Sequence, residues 1–125
     1  MNQLLAGSHI ALAAEAMAFG TRAGADPEVI FDVISHSAGS SWMFNNRVPH
    51  MLKGDYTPLS AVNIFVKDLG IVLDLAHELR FPLPMAAIAH QLFLGAAAMG
   101  LGNQDDSSVV KLFENVSGVS VAQPR

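Results

Sequence analysis

The chain has 125 residues and a formal charge of −4, and 51% of its residues are hydrophobic while only 14% are charged. This length predicts one domain, and the low charge predicts apolar surface that a partner covers, either another copy or another domain. The acidic balance excludes a basic nucleic-acid surface. The absence of cysteine excludes disulfides, thiolate metal sites and a cysteine nucleophile, and it fits a cytoplasmic protein.

The first predicted element is a helix over residues 2–23, rich in Ala, Leu and Met, with apolar residues on almost every face. A helix of this kind is expected to be buried all round at the centre of a fold. Polar residues such as Glu15 interrupt it, and it has no basic start, so we expect neither a membrane span nor a secretory signal. Asp26 and Pro27 then form an N-cap and a first helical position, predicting a short helix that ends near His36.

A serine-rich stretch at 37–41 predicts a loop or a helix cap. The three large residues after it, Trp42, Met43 and Phe44, are expected to be apolar anchors. Pro49 and the stretch 54–58 predict further turns.

The clearest amphipathic helix is predicted over residues 60–79, and prolines in the segment 81–84 end it. Its apolar positions recur at intervals of one, three and four: Val62, Phe65, Val66, Leu69, Val72, Leu73, Ala76 and Leu79. Further helices are predicted over 85–99 and 105–113. No alternation with a period of two predicts a strand.

These elements predict an all-α bundle of about five or six helices. We expect a helical domain at 1–114 and a disordered tail at 115–125, which contains Gly, Ser and Pro.

Motifs that carry chemistry are scarce. The sequence has no GxGxxG after a strand, no GxxxxGK[ST], no HExxH and no GxSxG. The five histidines never lie three or four residues apart, so no metal site is expected.

Two polar features have alternative interpretations. Asn63, Lys67 and Asp74 lie on the polar side of the amphipathic helix, where spacing alone favours a solvated face over a cleft. Gln3 is either a ligand-binding amide or part of a fraying first turn, and spacing favours the second.

Five motifs, in order and with their spacing, resemble the 3-hydroxyisobutyrate dehydrogenase family, and most of all its L-threonate dehydrogenase branch. They are NQLLAG from Asn2, AEAMA from Ala14, SAGSSWMF from Ser37, RVPHM from Arg47 and FVKDLG from Phe65. The resemblance covers residues 1 to about 113. It implies a helical C-terminal domain like that of 6-phosphogluconate dehydrogenase, which supplies substrate contacts and the oligomer interface.

The resemblance also implies site residues. It assigns Gln3 to the substrate, and it assigns Lys67, Phe65 and Asp68 to the cofactor cleft. The catalytic lysine of the family would lie two residues before Met1, so this chain is expected to contain no catalytic residue of its own.

The implied parent is a cytoplasmic, homo-oligomeric oxidoreductase of a 2- or 3-hydroxy acid. It uses NAD or NADP bound by an N-terminal Rossmann domain, which this chain lacks. The chain alone is therefore expected to hold no dinucleotide and to be inactive. The alternatives are a non-catalytic oligomerisation module and one half of a split dehydrogenase, completed by a Rossmann domain in trans.

Overall fold

The structure is a computed structural model, and it describes residues 1–124. Within these residues the α-helices are α1 (Asn2–Arg22), α2 (Pro27–Ser35), α3 (Trp42–Lys53), α4 (Val62–Leu79), α5 (Pro84–Ala96) and α6 (Val110–Ser117). A π-helical turn (Ala97–Leu101) continues α5, and a 3-10 turn (Asp106–Val109) leads into α6. No strand forms in this part of the chain. The predicted all-α bundle is confirmed.

The central element is α1, which packs against each of the other five α-helices. Its Ala, Leu and Met residues have high helix propensity, and Ile10 and Met17 are fully buried. One face does not meet the bundle: Leu5 is 53% exposed, Leu12 49% and Phe19 75%. The expectation that α1 is buried all round is therefore wrong for this outward face.

Side-chain caps set the starts of the next two helices. The Asp26 carboxylate accepts a hydrogen bond of 2.9 Å from the Glu28 N–H, and Pro27 occupies the first turn of α2. Ser41 Oγ accepts a hydrogen bond of 2.9 Å from the Phe44 N–H at the start of α3. Both caps satisfy N–H groups that lack a partner within the helix, as the sequence predicted.

Two predictions in this region are wrong. Pro49 lies inside α3 rather than at a turn. Proline has no backbone N–H to donate to the carbonyl of the preceding helical turn. Its neighbours Val48 and Met51 are fully buried, and this packing keeps the segment helical. Of the three predicted anchors, Phe44 is buried in the core and Met43 packs against it, but Trp42 is 70% exposed and does not anchor the core.

Part of the segment predicted as a disordered tail packs against the bundle in the structure. Helix α6 continues to Ser117, and Val121 beyond it is fully buried. The Val121 N–H donates to the Glu114 carboxylate at 2.7 Å, and the Gln123 N–H donates to the Leu52 carbonyl at 2.8 Å. A single apolar side chain and two hydrogen bonds thus hold the segment on the bundle, while Arg125 lies outside the described residues.

A buried polar layer connects α3 to the 3-10 turn. Arg47 Nε donates to Asp106 Oδ1 at 2.7 Å, and Arg47 Nη2 to Asp106 Oδ2 at 3.3 Å. Asp106 is fully buried and Arg47 is 7% exposed. The neighbouring Asp105 is also buried and accepts hydrogen bonds from the Leu59 N–H and from Ser107. This layer holds the loop before α4 against the start of α6.

Tyr56, in that loop, is the only tyrosine of the chain. Burial raises its pKa well above the ordinary value, and the negative charges of Glu114 and Asp105 raise it further. Lys111 Nζ lies 4.5 Å from the centre of its ring.

We expect this tyrosine to make the fold sensitive to alkali. A raised folded-state pKa contributes stability that is complete below the unfolded pKa of about 10 and is lost as pH rises beyond it. Ultraviolet titration should show no tyrosinate in the folded chain at pH values where the urea-unfolded chain is ionised. Tyr56→Phe should flatten the alkaline loss of stability, and a normal titration in the folded chain would contradict the prediction.

Two helices are long and apolar enough, by length and composition, to cross a bilayer: α1 and the run Pro84–Leu101. This is weak evidence for a membrane span, since the central helix of a bundle meets the same criteria. Half of the apolar window of α1 is buried inside the protein.

Candidate functional site

The candidate site lies where the first turns of α1 meet the middle of α4. The two helices approach closely because α1 has glycine at position 7. A Cβ atom on Gly7 would lie 2.9 Å from Phe65 Cδ1 and 3.1 Å from Leu69 Cδ1. This approach brings Gln3, one turn earlier in α1, level with Asp68 of α4.

Four polar side chains, Asn2, Gln3, Lys67 and Asp68, form a connected group that we call the polar cluster. Gln3 Nε2 donates to Asp68 Oδ2 at 2.9 Å. Lys67 Nζ lies 3.5 Å from Asp68 Oδ1, and Asn2 Nδ2 donates to Gln3 Oε1 at 2.9 Å. The structure therefore brings together three of the four residues that the resemblance assigned to a site, Gln3, Lys67 and Asp68. Sequence reasoning missed Asn2, whose one signal was its position beside Gln3.

The exposure of the polar cluster determines what it can bind. The Lys67 side chain is 64% exposed and the Asp68 side chain 21%, so the ammonium group reaches solvent while the carboxylate is mostly covered. An exposed pair of this kind is worth less than about 1 kcal/mol, so Asp68 does not hold Lys67 firmly. The Gln3 amide carries two N–H donors, and Asp68 takes one of them. The cluster thus offers a cation and an amide to an anionic ligand.

Phe65 is not part of the polar cluster. Its side chain is 2% exposed and stacks on Phe93, with ring centres 5.1 Å apart and planes inclined by 23°. Gly7 of α1 lies against the Phe65 ring. The resemblance placed Phe65 at the cofactor, but the hydrophobic periodicity of α4 placed it inward, and the structure agrees with the periodicity. Phe65 packs between α4 and α1, and so helps to hold in place the two helices that carry the polar cluster.

The three polar residues of α4 that spacing placed on one side of the helix face outward. Asn63, Lys67 and Asp74 are all exposed. Asn63 Nδ2 lies 3.4 Å from Asn103 Oδ1, which connects the first turn of α4 to the turn after α5. Asn63 is thus one helical turn from Lys67, on the same side of α4, but forms no part of the polar cluster.

An apolar hollow of about 260 Å³ adjoins the polar cluster. Its lining comes from the first turn of α1, the second half of α4 and the loop between α4 and α5, and includes Met1, Leu4, Val72, Leu75, Leu79 and Phe81. Leu4 is next to Gln3 in the chain, so the cluster has a polar side open to solvent and an apolar side. Within residues 1–124, no three acidic or histidine side chains converge as a metal site would require.

The comparisons with known proteins identify the family. Residues 1–113 match a family model described as the NAD-binding part of NADP-dependent 3-hydroxyisobutyrate dehydrogenase. This match defines the class as NAD(P)-dependent dehydrogenases acting on hydroxy acids. The chain belongs to the 3-hydroxyisobutyrate dehydrogenase family.

Among the curated relatives, the L-threonate dehydrogenase of Cupriavidus necator is 66% identical over 116 residues, covering 93% of this chain and 39% of that protein. The L-threonate dehydrogenase of Haemophilus influenzae is 54% identical over 117 residues, covering 94% of this chain and 39% of that protein. A crystal structure of 3-hydroxyisobutyrate dehydrogenase from Salmonella typhimurium superposes with a TM-score of 0.87 at 58% identity, over 89% of this chain and 39% of that one. The chain therefore spans about two fifths of the length of these relatives.

Proposed function

We propose that this chain is the helical C-terminal domain of a NAD(P)-dependent dehydrogenase that oxidises a hydroxy acid of the L-threonate kind. The observation that carries the proposal is the polar cluster, in which Gln3, Lys67 and Asp68 meet at the exposed edge of α1 and α4. The 66% identity to an L-threonate dehydrogenase also supports the proposal. We place the whole enzyme in the cytoplasm.

In this proposal the Gln3 amide binds the hydroxy acid, and Lys67 faces the nicotinamide end of the dinucleotide, which accepts the hydride. A hydroxy acid presents a carboxylate and a hydroxyl, and both gain from charge-assisted hydrogen bonds in a partly dry cleft. Asp68 orients the Gln3 amide by accepting one of its two N–H groups. The apolar hollow beside Leu4 adjoins this edge.

The polar cluster fits one end of a dinucleotide but not its phosphates. Pyrophosphate is usually held by a glycine-rich turn between a strand and a helix, and residues 1–124 form no strand. We therefore assign the phosphates to a Rossmann domain, joined in cis or in trans. Oxidation also needs a general base that accepts the hydroxyl proton, and such a group accelerates a reaction by roughly 10²–10⁴-fold. We assign no general base within the described residues. The chain alone should not turn over.

A chimera tests the proposal. Because the Cupriavidus necator relative is 66% identical across the matched segment, this chain should replace that segment without disturbing the rest of the enzyme. We expect the chimera to reduce NAD or NADP when L-threonate is added, as followed by the absorbance of the reduced nicotinamide. The unmodified relative is the positive control, and its N-terminal part alone is the negative control.

Titration calorimetry of the isolated chain with NAD, NADP and L-threonate separates the remaining alternatives. Millimolar or absent binding, together with an active chimera, supports the proposal. A folded chimera without activity would instead support a non-catalytic helical module. Micromolar dinucleotide binding by the isolated chain would show that the cofactor site lies within these residues, and so would contradict the assignment of the phosphates to another domain.

A further inference from the structure

Two asparagine side chains lie beyond the polar cluster, towards the start of α4. Asn63 and Asn103 are both exposed, and Asn63 Nδ2 donates to Asn103 Oδ1 at 3.4 Å. Asn63 precedes Lys67 by four residues, a spacing that places two side chains next to each other on one side of a helix. The Asn63 amide therefore neighbours the Lys67 side chain on the solvent side of α4.

The turn after α5 holds the Asn63 amide in place. A Cβ atom on Gly102 would lie 2.7 Å from Asn63 Nδ2 and 2.8 Å from Asn63 Oδ1, so the amide packs directly on the glycine. The Asn63 N–H donates to the Gly102 carbonyl at 2.9 Å, and the Val62 N–H donates to the Gln104 carbonyl at 2.9 Å. Because these carbonyls take the first N–H groups of α4, this end of the helix offers a ligand its side chains rather than its backbone.

Gly102 provides space rather than an unusual backbone conformation. Its φ of −54° and ψ of −35° are right-handed helical values, which any residue adopts. A larger residue here would displace the Asn63 amide, whereas an asparagine surrounded by solvent alone would need no such gap. An amide that is already held in place loses less conformational entropy when it binds a ligand.

We propose that Asn63 and Asn103 bind the hydroxyl groups of the hydroxy acid that are not oxidised, and so select polyhydroxy acids over monohydroxy acids. The inference rests on the proposed function, in which Gln3 binds the acid. An amide offers two N–H donors and an acceptor oxygen, and a hydroxyl group is both donor and acceptor. The amides carry no charge, so they suit hydroxyl groups and leave the carboxylate to the polar cluster.

The spacing along α4 fits an acid of moderate length. Four residues of helix rise by about 6 Å, which is comparable with the length of a four-carbon acid such as L-threonate. The ribose beside the nicotinamide also carries hydroxyl groups. It is joined to phosphates that we assign to the Rossmann domain, whereas the acid has no second anchor of that kind. The acid is therefore the ligand that the two amides are expected to hold.

The first test is Asn63→Ala in the chimera with the Cupriavidus necator relative. We expect kcat/KM for L-threonate to fall by about three- to tenfold, the effect of losing a hydrogen bond between uncharged groups. The same variant should leave 2-hydroxybutanoate and 3-hydroxybutanoate within about twofold, since each has four carbons but one hydroxyl group. For an acid that is not oxidised, its inhibition constant against L-threonate is measured instead. Asn115→Ala, at an exposed asparagine of α6, is the matched control and should change neither value.

Gly102→Ala tests the position of the amide while keeping both asparagines. Its methyl group should displace the Asn63 amide and lower kcat/KM for L-threonate to a similar extent. In the Asn63→Ala background it should have no further effect, because coupled residues are not additive. Equal losses in the two backgrounds would show that Gly102→Ala acts through the fold, and would contradict the role given to the amide.

The pattern of losses decides between the possible roles of Asn63. An equal loss for L-threonate and the monohydroxy acids, or no loss for either, would overturn the inference. A rise in KM for the dinucleotide without a change in KM for L-threonate would assign the amides to the ribose, and would also overturn it. An unmodified chimera that folds without activity would instead contradict the proposed function, and the inference would fail with it.

Discussion

Replacing Arg47 with methionine is expected to destabilise the fold by about 3–5 kcal/mol, since breaking a buried ion pair leaves an uncompensated buried charge. The remaining partner, Asp106, is fully buried. Methionine keeps most of the arginine side-chain volume, so the loss reports the charge rather than a cavity. A domain of this size is stable by only about 5–15 kcal/mol, and urea denaturation at one fixed chain concentration should show the change clearly.

The pH dependence of this variant has a definite sign. Burial raises the pKa of Asp106, and the Arg47 guanidinium opposes that rise. Without Arg47 the folded-state pKa rises further, and stability linked to a raised pKa is present at low pH and lost as pH increases. The deficit of Arg47→Met relative to wild type should therefore shrink on acidification towards the ordinary carboxyl pKa of about 4.

Two comparisons make the Arg47 prediction specific. Arg22→Met removes an exposed arginine from the end of α1 and should change stability by less than about 0.5 kcal/mol. Adding Asp106→Leu to Arg47→Met should recover much of the loss, because no unpaired charge then remains. A deficit below about 1 kcal/mol, or one that grows on acidification, would show that the pair does not hold the two segments together.

The helices could be predicted because their signals are local. Asp26 and Ser41 cap helices through hydrogen bonds to N–H groups two and three residues ahead, so the short sequence around each contains the information. The spacing of apolar residues in α4 predicted the burial of Leu69 for the same reason. The bounds of α1, α2 and α4 came within about two residues.

The failures concern contacts between segments far apart in the chain. Residues 115–124 lie against the bundle because Val121 is buried and the Gln123 N–H reaches the Leu52 carbonyl, and neither contact is visible in a segment that is locally rich in Gly and Ser. Pro49 remains helical because the surrounding core holds α3 in place. The buried pair of Arg47 and Asp106 joins positions 59 residues apart, and no local pattern indicates it.

The candidate site shows the same division. Spacing alone favoured a solvated face for Lys67 and a fraying first turn for Gln3, and so no function for either. Only the fold shows that Gln3 and Asp68 are hydrogen-bonded across 65 residues of chain. The resemblance named Gln3, Lys67 and Asp68 together with Phe65, which the structure places in the core. A position beside polar residues in a motif is not necessarily exposed beside them in space.

In the chimera with the Cupriavidus necator relative, Lys67→Met is expected to lower kcat/KM by about 10- to 100-fold. A hydrogen bond to a charged group contributes about 1.5–3 kcal/mol, and each 1.36 kcal/mol changes a rate tenfold. The side chain is 64% exposed and its only ion pair within residues 1–124 is with Asp68, so methionine removes the charge with little effect on the fold. Steady-state kinetics with varied dinucleotide and varied L-threonate would locate the loss.

Two control variants separate binding from structure. Lys53→Met removes an exposed lysine at the end of α3 and should leave kcat/KM unchanged. Phe65→Leu should lower stability by about 1–2 kcal/mol and leave both KM values unaltered, because Phe65 lies in the core. If Lys67→Met retains full activity while Phe65→Leu raises KM for the dinucleotide, the cofactor approaches the aromatic side of α4, and the polar cluster is a solvated surface.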